Sequence, residues 1–347
     1  MNMISFTCDY LQGGHPAVLQ LLLDTNEELT PGYGEDVYCE RAARLVRQVC
    51  DAPQADVHFL VGGTQANATV IDAALRPHQG VLAAASGHIN VHESGAVEAA
   101  GHKVLALPSR DGKITAAQVR DYCRQHWADE AHEHMVQPAL VYISHPTELG
   151  SIYSKAELSD IHAACRELGL RLFIDGARLA YALAAPDNDL SLADLARLCD
   201  AFYIGGTKCG ALLGEAVVLL DQDLKKDFRY IQKQHAAMLA KGRLLGLQFL
   251  ALLQDGLYER LGRQGDEPAG LIASACAAHG IPLLVPAQTN QLFPIFSRRQ
   301  LQELARDFQF NLGEPVDPEH QAVRIVTSWS TSPAQVQSLI EAIGKLS

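Results

Sequence analysis

No stretch of the 347-residue chain comes near the ~20 consecutive apolar residues that a membrane-crossing helix needs. The opening "MNMISFTCDY" lacks a basic segment followed by a long apolar one, so no secretory leader is expected and the protein is read as soluble and cytoplasmic. Blocks of like charge are also missing. The 28 Lys and Arg are outnumbered by 40 Asp and Glu, a formal charge of −12, which argues against nucleic acid or an acidic membrane as partner and for a small-molecule enzyme. Eight cysteines are dispersed without a Cys-x-x-Cys pair, so neither a zinc site nor a dithiol redox site is indicated, and buried reduced thiols are expected. "HWADEAHEH" gathers His126, His132 and His134 among acids. A polar helix or loop explains that composition, and no metal site is assigned. Internal repeats and low-complexity segments are absent as well.

What is present is alternation. Seven short apolar runs, "VHFLVGG" (57–63), "GVLAAA" (80–85), "HKVLALP" (102–108), "PALVYIS" (138–144), "LRLFIDG" (170–176), "DAFYIGG" (200–206) and "GEAVVLL" (214–220), each read as a buried strand. Between several of them lie helical patterns, among them "GTQANATVIDAALRP", "ITAAQVRDYCRQHW" and "KAELSDIHAACRELG". Strands apolar on both faces and separated by helices predict an α/β fold with a mostly parallel seven-stranded sheet covered on both sides. After residue 221 the alternation stops and the chain reads mostly as helix, then as a strand, helix, strand, helix pattern. The length exceeds the ~250 residues at which single cores stop growing. Two domains are therefore expected, a large one over 1–250 with an N-terminal arm and a small α/β one over 251–347.

Three places carry chemistry. Asp175 follows an apolar strand and precedes Gly176, which puts its carboxylate at the carboxyl end of a sheet strand, where ligands bind in open α/β folds. A helix N-cap is the alternative reading for Asp175, and a local ion pair is the alternative for Arg178 beside it. Lys208, 33 residues after Asp175, stands in "FYIGGTKCGALLGEA" between four glycines and small apolar side chains. Poor solvation lowers the pKa of such a lysine, and the neutral amine forms a Schiff base with an aldehyde. "GGTK" lacks the spacing of a nucleotide-binding P-loop. "LVGGTQANATVI" then offers a strand, two glycines and the start of a helix at Gly63, Thr64 and Gln65. Free backbone N–H groups there bind phosphate, although a plain strand-to-helix turn has the same sequence. A lysine for an aldehyde, a carboxylate for a ring nitrogen and a helix N-terminus for a phosphate together specify pyridoxal 5'-phosphate.

With "TPGYGEDVY" (30–38), "GGTQAN" (62–67), "SGHINVHESGAVEAAGHKV" (86–104), "FIDGARL" (173–179), "YIGGTKCGALLGEAV" (203–217) and "VRIVTSW" (323–329) in this order, the chain resembles the threonine aldolase and β-eliminating lyase family of fold-type-I pyridoxal-phosphate enzymes over essentially its whole length. The resemblance implies an aspartate-aminotransferase-like fold and assigns Lys208 as the Schiff-base lysine, Asp175 as partner of the ring nitrogen and Arg178 as neighbour of the phenolic oxygen. It makes Gly63, Thr64 and Gln65 the phosphate cradle, places His88 over the ring and gives Arg324, with Arg178, the substrate's carboxylate.

Two segments depart from the family pattern. In place of Glu-Asn-Thr-His the chain has "ISHPTELGSIYS" (143–154), where His145 is taken as the general base. In place of Arg-Ser-Asp-Thr it has Thr7-Cys8-Asp9-Tyr10, so Cys8 stands where a serine would contact substrate. The resemblance implies retro-aldol cleavage of a β-hydroxy-α-amino acid, of the low-specificity L-threonine type, to glycine and an aldehyde. The same cofactor chemistry also serves β-elimination and racemisation, and a non-catalytic protein of this fold is the reading from another class. A homodimer or homotetramer with shared active sites is expected, "TPGYGEDVY" and the basic residues near 241–243 reaching across subunits.

Overall fold

The computed structural model describes residues 3–346. Its centre is a seven-stranded sheet in the order β2-β8-β7-β6-β5-β3-β4, following a short first strand β1 (Ile4–Ser5). The strands are β2 (Asp56–Leu60), β3 (Gln79–Ala84), β4 (Lys103–Leu107), β5 (Gln137–Ser144), β6 (Arg171–Asp175), β7 (Ala201–Gly205) and β8 (Glu215–Leu219). They coincide with the seven apolar runs of the sequence. Only β8 runs against its neighbours, pairing antiparallel with both β7 and β2, while β7, β6, β5, β3 and β4 are parallel.

The period of two along each strand divides the core. Leu172 and Ile174 of β6, Val141 and Ile143 of β5 and Phe202 and Ile204 of β7 face one side, with helices that include Val37–Val49, Lys155–Leu168 and Arg243–Leu253. Phe173, Leu140, Tyr142, Ala201 and Tyr203 face the other, against Ala66, Val70 and Ile71 of the helix Gly63–Ala74. Both faces are dry, as a sheet with near-continuous apolar strands requires.

The mostly helical stretch after residue 221 is broken. Helices cover Gln222–Lys225, Phe228–Gln234, Arg243–Leu253 and Leu257–Ala278, interrupted where Asp227, Ala236 and Asp255 take positive φ. A separate apolar cluster begins with Ala269, Ile272 and Cys276 of the last helix. It includes Val323 and Ile325 and is joined by Phe6 from the N-terminal arm. Its strands are β9 (Gln291–Leu292), β10 (Ile295–Ser297), β11 (Phe308–Gln309), β12 (Asn311–Pro315) and β13 (His320–Val326). β13 lies between β10 and β12, and β1 pairs with β11. Residue 250 falls inside a helix whose Leu245, Leu247, Phe249 and Leu250 pack in the large core. We place the division instead within Leu257–Ala278, and the first residues belong with the small unit.

That long helix approaches the large unit through glycines. A methyl group at Gly262 would come 2.1 Å from the Ala180 carbonyl oxygen, whereas one at Gly270 meets nothing within 4 Å. Gly262→Ala therefore lowers unfolding free energy by about 1–3 kcal/mol. Gly270→Ala in the same helix raises it by up to ~1 kcal/mol, since alanine restricts the unfolded chain and favours helix. Urea unfolding of the two variants checks both signs.

Candidate active site

β5 and β6 are in register with Ser144 opposite Asp175 and Tyr142 opposite Phe173. Alternation puts Tyr142, Ser144 and Asp175 on the same face, at the carboxyl end of the sheet. Asp175 is buried, and its Oδ2 accepts from Tyr142 Oη at 2.6 Å and Asn67 Nδ2 at 2.9 Å while Oδ1 accepts from the Ala177 amide at 2.9 Å. Burial alone would raise its pKa, but these donors outweigh that and leave the carboxyl below its ordinary value. Asn67 reaches it from the first turns of the helix Gly63–Ala74, and its Nδ2 also donates to Glu93 Oε1 at 2.7 Å. Glu93 in turn holds His88 Nδ1 at 2.7 Å. One chain of hydrogen bonds thus runs from Tyr142 through Asp175, Asn67 and Glu93 to His88.

Lys208 lies in the loop joining β7 to β8. The loop closes on itself: the Gly206 amide donates to Gly214 O at 2.9 Å, the Gly214 amide to Thr207 Oγ1 at 3.0 Å, and Thr207 Oγ1 to Glu215 Oε1 at 2.9 Å. Tyr181 Oη fixes the Lys208 carbonyl at 2.8 Å. Gly210 turns the chain at φ +104, where a Cβ would stand 2.6 Å from Leu261. The Lys208 pKa is lowered by burial first and by the charge of Arg178 second, against the opposing carboxylates of Asp9, Asp175 and Glu215. Burial also lifts Glu215, to about 8. Lys208 thus makes no salt bridge among the described residues, and its pKa lies below that of a free lysine.

A small cavity of about 30 Å³ joins Gly63, His88, Ser144, Pro146, Glu148, Asp175, Ala177, Arg178, Tyr203 and Lys208. Of the residues expected from sequence, Lys208, Asp175, Arg178, Gly63 and His88 meet here. The helix that starts at Gly63 has no side-chain cap. A methyl group at Gly63 would lie 3.1 Å from Tyr203 Oη, so this edge admits a close approach. Thr64 is exposed. The Gln65 side chain is turned away, bonded to the Val61 amide and the His235 carbonyl, so only its backbone is free to serve a phosphate.

Arg178 makes a two-pronged pair with the buried Asp9, at 2.7 and 3.0 Å, and Asn290 of the small unit donates to the same carboxylate at 2.9 Å. Arg324, on β13 opposite Asn311, has one long hydrogen bond from Nη2 to Thr7 O at 3.4 Å and a buried Nε without a partner. Burial and the charge of Arg178 lower its pKa. Cys8 is a half-buried free thiol between Thr7 and Asp9, near enough to Arg324 to act on its charge.

His145 is not brought into the cavity. Its Nδ1 accepts from the Tyr153 amide at 3.3 Å, its Nε2 is enclosed, and burial lowers its pKa to about 4. The loop beyond it delivers Glu148 instead. Asn67, Glu93, Tyr142 and Glu148 are the members of the site that the motifs did not single out. For Tyr142 the signal was available, because it lies two residues before the end of a strand adjacent to that of Asp175. Glu148 Oε2 lines the cavity as a buried oxygen without a hydrogen-bond partner, and Arg324 Nε is a second buried atom of that kind, on β13. A lysine without a salt bridge, a carboxylate held by three donors and a helix start without a side-chain cap on one cavity fit a phosphorylated, aldehyde-bearing ligand with a ring nitrogen.

A family profile described as β-eliminating lyase matches residues 21–298. A low specificity L-threonine aldolase of Pseudomonas aeruginosa is 30% identical over 344 residues, covering 97% of this chain and 96% of the relative. The solved structure of a Leishmania major threonine aldolase superposes with a TM-score of 0.96 at 45% identity, covering 99% of each chain. A Thermus thermophilus aspartate aminotransferase shares the fold, with a TM-score of 0.72 at 14% identity over 99% of this chain and 91% of its own.

The Asp9–Arg178 pair gives a pH test. Burial would raise the Asp9 pKa, but the Arg178 charge and the hydrogen bonds from Arg178 and Asn290 bring it below the ordinary 3.8. A depressed carboxyl stabilises the fold above its unfolded pKa and loses that contribution as pH falls. Asp9→Asn leaves Arg178 unpaired and costs about 3–5 kcal/mol at neutral pH. The gap from wild type in urea unfolding is full at pH 7 and begins to close only as pH drops below about 4.

Proposed function

The chain belongs to the β-eliminating lyase family, and from that premise we propose that it is a low-specificity L-threonine aldolase, cleaving a β-hydroxy-α-amino acid to glycine and an aldehyde. The observation that carries this reading is the meeting of Lys208 and the ionised Asp175 on one cavity, from neighbouring strand ends. Pyridoxal 5'-phosphate is the cofactor this pair fits, and when bound it supplies an electron sink for the bond broken at the substrate's Cα.

The chain's own groups divide the remaining work. Lys208 Nζ, its pKa lowered by burial, would hold the group through its aldehyde carbon. Asp175, kept in place by Tyr142 and Asn67, would accept the hydrogen bond of a protonated ring nitrogen. The amides of Gly63, Thr64 and Gln65 at the uncapped helix start would hold the phosphate. Arg178, fixed by Asp9, would hold the phenolic oxygen. His88, held by Glu93 through Nδ1, would cover the ring. Arg324 binds the substrate's α-carboxylate through its unsatisfied guanidinium edge, with Arg178 and Cys8 beside it. A carboxylate held at this one place would fix the orientation of the substrate's Cα and so select the bond to Cβ for cleavage. We do not assign the base to His145, which lies outside the cavity.

Eight free cysteines without a disulfide suit a reducing compartment, and we place the enzyme in the cytoplasm. Exposed Leu19, Leu23, Leu29, Tyr33, Val37 and Leu244 favour association with further copies as a homodimer or homotetramer.

Purified with pyridoxal phosphate, the protein is expected to release equal amounts of aldehyde and glycine from L-threonine, L-allo-threonine or β-phenylserine. Lys208→Ala removes both the visible absorbance of the bound cofactor and the activity. Release of ammonia and a keto acid without aldehyde would move the assignment to β-elimination.

A further inference from the structure

Glu148 belongs to the segment that follows β5 and lines the same cavity as Lys208, Asp175, Arg178 and His88. Its two oxygens are treated differently. Oε1 is anchored by the His88 amide at 2.9 Å and by Ser144 Oγ at 2.5 Å, whereas Oε2 is enclosed and has no partner. A carboxylate tethered through one oxygen, with the other free, has a fixed direction of approach to a substrate proton. Most of the other titratable groups there lack that freedom. Both oxygens of Asp175 are engaged, Arg178 is held by Asp9, and His145 lies behind the site. His88 is held through Nδ1 alone, which makes it the competitor to be tested.

We propose that Glu148 is the general base that takes the proton from the substrate's β-hydroxyl during aldol cleavage, an inference that rests on the threonine aldolase reading. The proton passes from the hydroxyl oxygen to Oε2, and the O–H electron pair becomes the second C–O bond of the aldehyde. The Cα–Cβ bond breaks with its electron pair left on Cα. Cα then takes up one proton to give glycine, so none is gained or lost overall.

The surroundings tune this carboxyl. Burial raises its pKa and the charge of Asp175 adds to the rise, while Ser144, its own backbone amide and the His88 amide oppose it. The groups around it are Tyr142 and Ser144 of β5, His88 and Glu93 from the segment after β3, Asp175 and Arg178 after β6, Tyr203 of β7, Lys208 beyond it, and Tyr153 from its own loop. A base with a pKa moved toward neutrality balances ionisation against proton affinity.

Glu148→Gln, purified with pyridoxal phosphate, tests the assignment. It is expected to keep the visible absorbance of the bound cofactor and the exchange of glycine's α-proton in deuterated water, neither of which needs a β-hydroxyl. Aldehyde release from L-threonine falls by about 10²–10⁴-fold, and the limb along which wild-type kcat rises with pH disappears. Glu148→Asp recovers part of the rate, and His88→Asn retains the pH limb. Three results overturn the proposal: Glu148→Gln within ~3-fold of wild type, loss of its cofactor absorbance together with the rate, or disappearance of the limb in His88→Asn. Absence of aldehyde from wild type with every β-hydroxy amino acid overturns the aldolase reading and this base with it, and that result is seen before any substitution is made.

Discussion

A carboxylate sealed from water at the end of a β-sheet is costly unless donors are already aimed at it, and Asp175 imposes that condition on everything around it. Its donors come from three different elements. Tyr142 reaches it only because β5 and β6 pair with Ser144 opposite Asp175. A slip of one residue would turn Tyr142 to the other face. Asn67 reaches it only because the helix Gly63–Ala74 lies on that same face, and the Ala177 amide only because the chain turns at Gly176. There a Cβ would stand 1.9 Å from the Tyr203 carbonyl oxygen. Register, helix placement and turn are therefore set together by one buried charge. Asn67 passes the constraint on to Glu93 and so to the ring of His88.

Charge elsewhere in the site is arranged by pairing some groups and leaving others unpaired. Asp9 neutralises Arg178 with good two-pronged geometry, which is what makes a buried pair tolerable. Lys208 receives no such partner, and burial with the charge of Arg178 outweighs the surrounding carboxylates and lowers its pKa. The Asp9 carboxylate also receives Asn290 from the small unit, so the N-terminal arm ties the two cores together at the site. Phe6 is packed in the small core only three residues before Asp9.

The seven strands were legible because each is apolar on both faces, a pattern that survives without knowledge of neighbours. Lys208 and Asp175 were legible for a related reason: a charge directly after such a strand must emerge at the sheet edge. Local pattern carried no signal for His88 or Arg324; the structure places His88 on the cavity wall and Arg324 on β13 of the small unit. The segment 143–154 was not legible in the same way. Alignment by its glycine put His145 at the site, but the His145 amide bonds to the Asp175 carbonyl at 2.8 Å. That bond continues the sheet edge, and the imidazole turns into the protein, so the first side chains free to face the cavity come later in the loop. Asn67 was hidden for a different reason, since nothing within a helix marks which polar residue will meet a carboxylate 108 residues away, and Glu93, in the turn after the helix His88–Val91, could be placed only through Asn67 and His88. The extent of the small unit was obscured because apolar helices on both sides of residue 250 read alike, and only packing distinguishes the core each one serves.

Two arginines of this region come from different units and have different fates. Arg178 follows β6 of the large sheet and is already matched by Asp9. Arg324 lies on β13 and has no carboxylate partner among the described residues, only the Thr7 carbonyl at the limit of hydrogen-bond length. The desolvation of the Arg178 charge is thus offset by Asp9, whereas that of Arg324 is met only by one long hydrogen bond and by the charge of nearby Asp9. The arm from Thr7 to Asp9, touching both arginines, holds the distance between them.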